Sequence, residues 1–240
     1  MKAEPDSKTS RTARSQCPSE RDLQIWAEVK GEFLDWGYTG LVGRFQAAGH
    51  RLIGRWAETC VDKMVLEIGC GYGHHLQYGR SDYLRYIGLD IEHAFPRTLR
   101  ERFPGLRVVN GDAYALPFRD QSVDCVLSVY CLEHLRRLPD CLEEIRRVLK
   151  PTGELLVGLP AEGGFLYGIG RRLTSQRYIE RRYGIDYSAI VHWEHWNTCP
   201  KVIKEISHKF SIRRLQYLPL LVPTIHFNVV VALEAFPKTV

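Results

Sequence analysis

The stretch that decides the fold is Val65-Leu66-Glu67-Ile68-Gly69-Cys70-Gly71-Tyr72-Gly73. A short apolar run contains one acid and then meets glycines at three alternate positions. Glycine is needed where the backbone takes a positive φ, or where a ligand lies against bare main chain. The pattern predicts a buried strand that turns sharply into a helix. It is typical of the first strand–helix turn of a Rossmann-like sheet, a usual place for a nucleotide-like cofactor.

The spacing of the glycines separates two kinds of cofactor. Dinucleotide-binding turns follow G-x-G-x-x-G/A and place a pyrophosphate on the helix N-terminus. Here the third glycine, Gly73, comes one residue early, and Glu67 puts a negative charge just before the turn. A ligand with a cationic centre and no phosphate fits better, which favours S-adenosylmethionine (SAM) over a dinucleotide. The alternative is that a glycine-rich turn is only a turn.

Two further acids each end an apolar run. Asp90 follows Tyr86-Ile87-Gly88-Leu89 about 20 residues after the glycine turn, where an acid can bind both ribose hydroxyls. Asp112 ends the next run and is placed to accept a hydrogen bond from an adenine amino group. The carboxyl ends of parallel strands share one edge, so these acids and Glu67 are predicted to line one pocket. Each acid alone is as easily a surface residue or a helix cap.

These motifs resemble those of a known family. The chain from about Met64 to Pro160 is similar to the class I SAM-dependent methyltransferases, of the small-molecule type that includes the ubiquinone and menaquinone methyltransferases. The matching segments are, in order, VLEIGCGYG, GLDIE, GDAYALPF, DQSVDCVLSVYCLEHL and LEEIRRVLKPTGELLVGLP. The resemblance implies an α/β fold: a Rossmann-like, seven-stranded, mostly parallel sheet with an antiparallel last strand and helices on both faces. It implies SAM as cofactor and in-line transfer of its methyl group to a small-molecule acceptor.

The resemblance also indicates which residues bind the cofactor. Glu67 and the backbone from Gly69 to Gly73 are expected at the methionine part, Asp90 at the ribose, and Asp112 with Ala113 at the adenine. The full predicted set is Glu67, Gly69, Cys70, Gly71, Gly73, Asp90, Ile91, Asp112, Ala113 and Tyr130.

His134 is the first candidate for a catalytic base. It lies in Tyr130-Cys131-Leu132-Glu133-His134, at the expected carboxyl end of the fourth strand. Ubiquinone-type methyltransferases carry Glu-x-x-Glu-His here, with a proposed divalent metal. Tyr130 replaces the first of those acids, so no metal is predicted. Glu133 and His134 remain possible polar contacts or a base, and His134 can equally cap or hydrogen-bond the nearby helix.

His195 is the second candidate. It ends His192-x-Glu194-His195, whose spacing differs from the helical zinc pattern with histidines four residues apart. The segment is predicted to be a strand or turn of the substrate wall, with Glu194, His195 or Asn197 touching the acceptor. His74 and His75 are adjacent on a helix and point apart, so they are not expected to share a metal ion.

Length and composition favour one globular domain. The 240 residues are 45% hydrophobic and 25% charged, which is ordinary for a soluble protein. A net charge of +5 is too small to indicate nucleic-acid binding. Seven scattered cysteines without a CxxC pair indicate reduced thiols and a cytoplasmic location.

Residues 1–20 are polar, are predicted to be a disordered tail, and do not resemble a signal peptide. Residues 21–240 are predicted to form the single methyltransferase domain, with cover helices at about 21–60 and a lid-like insertion at about 161–198. The insertion holds seven aromatic residues and five arginines. This mixture suits an acceptor with an apolar body and an acidic group, or peripheral contact with an anionic membrane. A plain lid helix with a charged outer face is the third possibility.

The sequence bears differently on three functions other than methyl transfer to a small molecule. The chain could bind SAM without turnover, as a regulatory or partner subunit. A nicotinamide-dependent dehydrogenase is disfavoured by the glycine spacing. An enzyme that methylates RNA or protein is disfavoured by the weak basic balance and the lack of a separate binding domain. The sequence leaves open the oligomeric state and whether oxygen, nitrogen or carbon is methylated.

Overall fold

A computed structural model describes residues 17–238, so most of the predicted polar tail lies outside the described residues. The strands are β1 (Met64–Ile68), β2 (Arg85–Asp90), β3 (Arg107–Asn110), β4 (Val123–Val129), β5 (Leu149–Pro160), β6 (Phe210–Leu218) and β7 (Val230–Pro237). The α-helices are α1 (Glu20–Gly37), α2 (Gly40–Trp56), α3 (His74–Tyr78), α4 (Ala94–Arg102), α5 (Leu138–Val148), α6 (Phe165–Arg171), α7 (Arg177–Tyr183), α8 (Tyr187–Glu194) and α9 (Cys199–Lys209). A π-helical turn, Arg172–Gln176, joins α6 to α7.

The strands form one sheet in the order β3-β2-β1-β4-β5-β7-β6. β1 to β5 pair in parallel, and β7 enters antiparallel between β5 and β6. This arrangement confirms the predicted fold class. The carboxyl ends of β1 to β6 and the start of β7 therefore meet at one edge of the sheet, which we call the carboxyl edge.

Apolar residues explain why helices cover both faces of the sheet. Leu142 and Ile145 on α5 are fully buried against one face, and Ile53 on α2 is fully buried against the other. A third cluster, the cap cluster, lies apart from the sheet between α1, α7 and α8. It consists of Trp26, Ile179, Ile185, Tyr187, Ile190 and Val191.

One prediction of secondary structure was wrong. The segment around His192, predicted to be a strand or turn, belongs to the helix α8, because Asp186 caps it by accepting from the Ala189 N–H at 3.1 Å and Ile190 packs inward. β5 starts at Leu149, directly after α5. No helix among residues 17–238 is long and apolar enough to cross a membrane.

Candidate active site

The glycine turn leaves the backbone open at one position. Gly69, Gly71 and Gly73 have φ values of +74°, +48° and +80°. A Cβ atom on Gly69 would come within 2.4 Å of the Cys131 sulfur, and one on Gly73 within 2.3 Å of Leu99, so both glycines are required for packing. A Cβ on Gly71 would meet open space. Its bare backbone therefore faces a place where a ligand can lie.

Asp90 ties the end of β2 to this turn. Its Oδ2 accepts from the Gly71 N–H at 2.9 Å, and its Oδ1 accepts from the Glu92 N–H at 3.0 Å. Each oxygen keeps lone pairs for further donors, such as ribose hydroxyls. The next residue, Ile91, is 66% exposed and offers an apolar surface beside the carboxylate.

The end of β3 supplies the next acid. Asp112 is half-buried, and its Oδ1 accepts from the Tyr114 N–H at 2.9 Å. Its Oδ2 has no hydrogen-bond partner within residues 17–238. Ala113 beside it is buried. An adenosine group needs carboxylates that accept from its hydroxyl and amino groups, an apolar surface for its ring and bare backbone beside it. These residues provide all three and therefore fit SAM.

Glu67 lies beneath the turn rather than in the open. It is only 2% exposed and accepts a hydrogen bond from the Tyr86 hydroxyl. Burial raises the pKa of Glu67 to about 8, although the Tyr86 bond opposes the shift. Near neutral pH the ligand-free carboxyl is therefore mostly protonated. Its contact with the methionine part of the cofactor stays a prediction.

Tyr130 ends β4 in an unusual conformation. Its φ is +57°, a left-handed value that non-glycine residues seldom adopt. The side chain points to α2, where the hydroxyl donates to the Gln46 carbonyl at 3.1 Å. The ring packs edge-on against His50. The structure thus engages the Tyr130 side chain with a helix, and its predicted cofactor contact stays a prediction.

The two candidate bases lie side by side. The rings of His134 and His195 meet edge to face, with centroids 4.5 Å apart. Backbone bonds hold the two segments together, because the Glu133 carbonyl accepts from the N–H groups of Trp196 at 2.9 Å and Asn197 at 3.0 Å. The end of the insertion is thereby fastened to the turn that follows β4.

His195 is the stronger base of the pair. Its Nδ1 lies 2.5 Å from Oε2 of Glu162, just beyond β5. Burial alone would lower the pKa of His195, but the hydrogen bond and charge of Glu162 outweigh burial and raise it. Nε2 of His195 has no hydrogen-bond partner within residues 17–238. It is also not buried, so it reaches solvent. A carboxylate on Nδ1 fixes the tautomer that leaves a lone pair on Nε2.

His134 is a weaker base. Burial and the neighbouring His195 lower its pKa to about 3, so its ring is neutral at physiological pH. The side chain is nevertheless exposed, and its Nδ1 lies 3.3 Å from the Glu194 carbonyl. The His134 ring is therefore accessible beside that of His195.

One acid of this site, Glu162, is not among the residues predicted from the sequence. It follows β5, and an acid at a strand's carboxyl end is the same signal that indicated Asp90 and Asp112. Glu133, predicted as a possible polar contact or base, is 2% exposed, and its Oε2 is buried without a partner within residues 17–238. Burial raises the pKa of Glu133 to about 7, and the charge of His195 opposes this shift.

Two of the expected acceptor contacts instead support the structure. Glu194 accepts from Trp26 Nε1 at 2.9 Å and Lys30 Nζ at 2.8 Å, which fastens α8 to α1. Asn197 is buried and donates from Nδ2 to the Leu135 carbonyl at 2.6 Å. Of the three residues expected to touch the acceptor, His195 is the one with a free polar atom facing solvent.

The five arginines of the insertion do not converge on one site. Three of them line an open cavity of about 730 Å³ between α7 and the first two helices, beside the stacked rings of Trp36 and Tyr178. These three are Arg177, Arg181 and Arg182. Arg171 lies near Tyr167 and Tyr187 instead, and its buried Nε has no partner within the described residues.

The adjacent histidines have separate surroundings. His75 is buried and bonds the Tyr83 hydroxyl at 2.9 Å, whereas His74 stacks on Tyr38. Among residues 17–238, one trio of potential metal ligands lies close together, near the amino end of β4 and away from the carboxyl edge. It consists of Cys60, Cys125 and Glu154, and the Cys60 thiol donates to Glu154 at 2.8 Å.

Comparison with known proteins gives a family match in the middle of the chain. Residues 66–157 match the family described as "Methyltransferase domain". A probable S-adenosylmethionine-dependent methyltransferase of Mycolicibacterium smegmatis is 37% identical over 106 residues, which are 44% of this chain and 41% of that protein. The phthiotriol/phenolphthiotriol dimycocerosates methyltransferase of Mycobacterium tuberculosis is 43% identical over 103 residues, which are 38% of this chain and 35% of that protein. The chain thus matches less than half the length of these curated relatives.

Solved structures extend the likeness in fold. A SAM-dependent methyltransferase from Thermotoga maritima superposes with a TM-score of 0.65 at 21% identity, over 90% of this chain and 99% of that one. At this identity the likeness shows the fold alone.

Proposed function

We propose, on the premise that this chain carries a methyltransferase domain of the class I SAM-dependent type, that it methylates a hydroxyl group of a small, largely apolar acceptor. The observation that carries the proposal is the Glu162–His195 pair, whose free Nε2 reaches solvent at the carboxyl edge. Contacts link this pair to the glycine turn. Gly69 packs on Cys131, and the turn that follows Cys131 holds the segment around His195.

The cofactor, when bound, supplies a methyl group on a positively charged sulfur that keeps the electron pair of the broken bond. The residues that would hold it are those at the ends of β1 to β3. Asp90 would accept the ribose hydroxyls, Asp112 the adenine amino group, and the Gly71 backbone would lie against the amino-acid part. Their main contribution is positioning, which can account for a large part of the barrier when two reactants are held in line.

The base supports oxygen as the methylated atom. A neutral hydroxyl must lose its proton as its oxygen bonds to carbon, whereas an amine can lose one afterwards. His195 Nε2 is available for that proton, and the Glu162 carboxylate stabilises the resulting cation. His134, with its low pKa, stays neutral and offers a hydrogen-bond acceptor beside it.

An apolar acceptor is supported by the insertion and by one relative. Tyr167 adds aromatic surface near Glu162 and Glu133. Arg171 adds an unpaired donor for a polar end of the acceptor. The M. tuberculosis relative is named for dimycocerosates of phthiotriol and phenolphthiotriol, and the ending of those names denotes hydroxyl groups.

Methyl transfer from labelled SAM to phenols and long-chain diols tests the proposal, with amines in parallel. We expect His195→Ala and Glu162→Gln to lower kcat, the first by about a hundredfold to ten-thousandfold, with SAM affinity unchanged. His192→Ala, an exposed position on α8, is the matched control. Full kcat in both variants, or methylation of amines alone, would contradict the proposal. SAM binding without any transfer would favour a regulatory subunit.

A further inference from the structure

We propose that this protein docks on an anionic lipid bilayer through an apolar surface beside the acceptor cleft. This surface, the apolar rim, consists of Phe165, Leu166, Leu220, Leu221, Val222 and Phe227. The proposal adds to the proposed function and depends on it in one respect: an apolar acceptor would reach the site from the bilayer. Docking itself requires neither acceptor nor turnover.

The rim exposes large apolar side chains to an unusual extent. The exposed fractions are 66% for Phe165, 38% for Leu166, 57% for Leu220, 63% for Leu221, 45% for Val222 and 54% for Phe227. Single exposed apolar residues are common on soluble proteins, but contiguous patches usually mark an interaction surface.

Contacts between two segments make the rim one surface. Gly164, at the start of α6, lies so close to Ile225 that a Cβ atom would come within 2.2 Å of the Ile225 carbonyl oxygen. The Ala161 N–H donates to the Val229 carbonyl at 3.0 Å. The segment before α6 and the loop between β6 and β7 are therefore packed together, and their apolar side chains lie side by side.

The loop is built to present these side chains outward. Asn228 is fully buried and donates to the carbonyls of Val222 at 2.9 Å and Thr224 at 2.8 Å. Its Oδ1 accepts from the Leu220 N–H at 2.9 Å. Leu221 is held at a φ of +58°, which is unfavourable for leucine. One buried amide thus fixes a loop whose apolar residues would otherwise turn inward.

The rim lies at the carboxyl edge of the sheet, next to the proposed site. β5 ends and β7 begins at the carboxyl edge, where Pro160 pairs with Val230, and β6 ends there at Leu218. Glu162, which holds His195, lies between the end of β5 and Phe165. A bilayer in contact with the rim would therefore face the entrance to the proposed site.

Positive charge near the rim favours an anionic bilayer as its partner. The helical segment that begins with Phe165 continues into Arg172, which is exposed and has no ion-pair partner within residues 17–238. Residues seven positions apart lie near the same face of a helix, so Arg172 lies on the side of Phe165. An unpaired arginine beside an apolar surface suits anionic lipid headgroups. A second copy of the chain would bring two such arginines together. Residues 1–16 hold one large apolar side chain, Met1, so they are poorly suited to cover the rim.

Cosedimentation with vesicles tests the proposal. We expect the full chain to bind vesicles of phosphatidylcholine mixed with phosphatidylglycerol, more weakly at high salt, and to bind phosphatidylcholine alone poorly. Phe227→Ser and Leu221→Asn should each weaken binding by about tenfold, since each removes an exposed apolar side chain that the bilayer would bury. Asparagine tolerates positive φ, so the second variant keeps the loop geometry. Leu84→Ser, an exposed leucine just before β2, is the control.

Absence of binding by the wild type would overturn the proposal, as would equal binding by both rim variants and the control. A changed oligomeric state of the rim variants, with vesicle binding intact, would also overturn it and assign the rim to protein contact. The assay contains no cofactor or acceptor, so its outcome is separate from that of the proposed function. His195→Ala should bind vesicles like the wild type, and rim variants should still methylate a water-soluble acceptor.

Discussion

A buried proton on Glu67 makes the stability of the protein depend on pH. The folded-state pKa of about 8 lies above the ordinary value of 4.5, so between those values the folded chain holds a proton that the unfolded chain releases. The stabilising effect is complete below the ordinary pKa and is lost as pH rises through 8. We expect the free energy of unfolding of the wild type to fall relative to Glu67→Gln in this window, by up to about 1.4 kcal/mol per pH unit. Urea denaturation at successive pH values measures this, and parallel curves would contradict it.

The Glu162–His195 pair has its own pH signature. A base must be deprotonated to act, and Glu162 raises the pKa of His195, so kcat should rise with pH through a value above 6.5. Glu162→Gln removes the charge, and the rising limb should move to lower pH while the maximum rate falls. The pH–rate profiles of both proteins check this. An unmoved limb would mean that another group titrates.

Asp90 is expected to contribute directly to cofactor affinity. Asp90→Ala removes an ionised acceptor, whose hydrogen bonds are worth about 1.5–3 kcal/mol, so SAM affinity should fall by roughly tenfold or more. Asp82→Ala, which removes an exposed partner of Arg80, is the control. Calorimetric titration measures both, and equal affinities would exclude Asp90 as the ribose ligand.

At the residue scale, the sequence predicted which side chains belong to the candidate site better than it predicted their contacts with one another. His134 and His195 were both identified, but they are far apart in the chain and nothing in the sequence indicates that their rings touch. Their contact depends on backbone bonds between Glu133 and the end of the insertion, which only the folded chain forms. Glu162 carried a usable signal, since it follows a parallel strand, but that rule was applied only to the first three strands.

At the scale of elements, the sheet could be predicted because each buried strand is an apolar run bounded by turn residues. The insertion could not, because α8 owes its helical form to the Asp186 cap and to burial against α1, which lies far away in sequence. The loop before β7 likewise depends on tertiary contacts. Its residues are apolar enough for a strand, but the hydrogen bonds of Asn228 hold them in an irregular path.

Two glycines in helices should respond oppositely to alanine. A Cβ on Gly54 of α2 would lie 2.8 Å from the backbone of Gly79, so Gly54→Ala should destabilise the protein by about 1–3 kcal/mol. A Cβ on Gly168 of α6 would meet no atom within 4 Å, so Gly168→Ala should stabilise it by up to about 1 kcal/mol through helix propensity. Thermal unfolding measures Tm for both variants. Changes in Tm of the same sign would contradict close packing of α2 against Gly79.

The arginines of the insertion are expected to differ in function. Arg171→Ala removes an unpaired donor near Tyr167 and should raise the KM for a water-soluble acceptor by roughly tenfold, with SAM affinity unchanged. Arg172→Ala, exposed and one residue further, should leave that KM unaltered. Steady-state kinetics with varied acceptor separate the two. Equal effects would mean that the segment acts only through overall charge.

At the scale of the whole molecule, ligand specificity should appear as a change in thermal stability. SAM at about a hundred times its dissociation constant should add about 2.7 kcal/mol to the free energy of unfolding, which is about 5–10 °C in Tm for a chain of this size. NADH should leave Tm unchanged, because the glycine spacing differs from that of a pyrophosphate-binding turn. A thermal-shift measurement with both ligands checks this, and a shift by NADH would reopen the dehydrogenase alternative.

The bond between Trp26 and Glu194 joins residues 168 positions apart and sets an order of events during synthesis. A ribosome releases α1 long before it has made the residues that cover that helix, since the rest of the cap cluster comes from residues 179–191. The aromatic face of α1 therefore emerges without these partners and stays uncovered until they have been made. A helix that precedes β1 in the chain thus docks only after β1 to β5 have been synthesised.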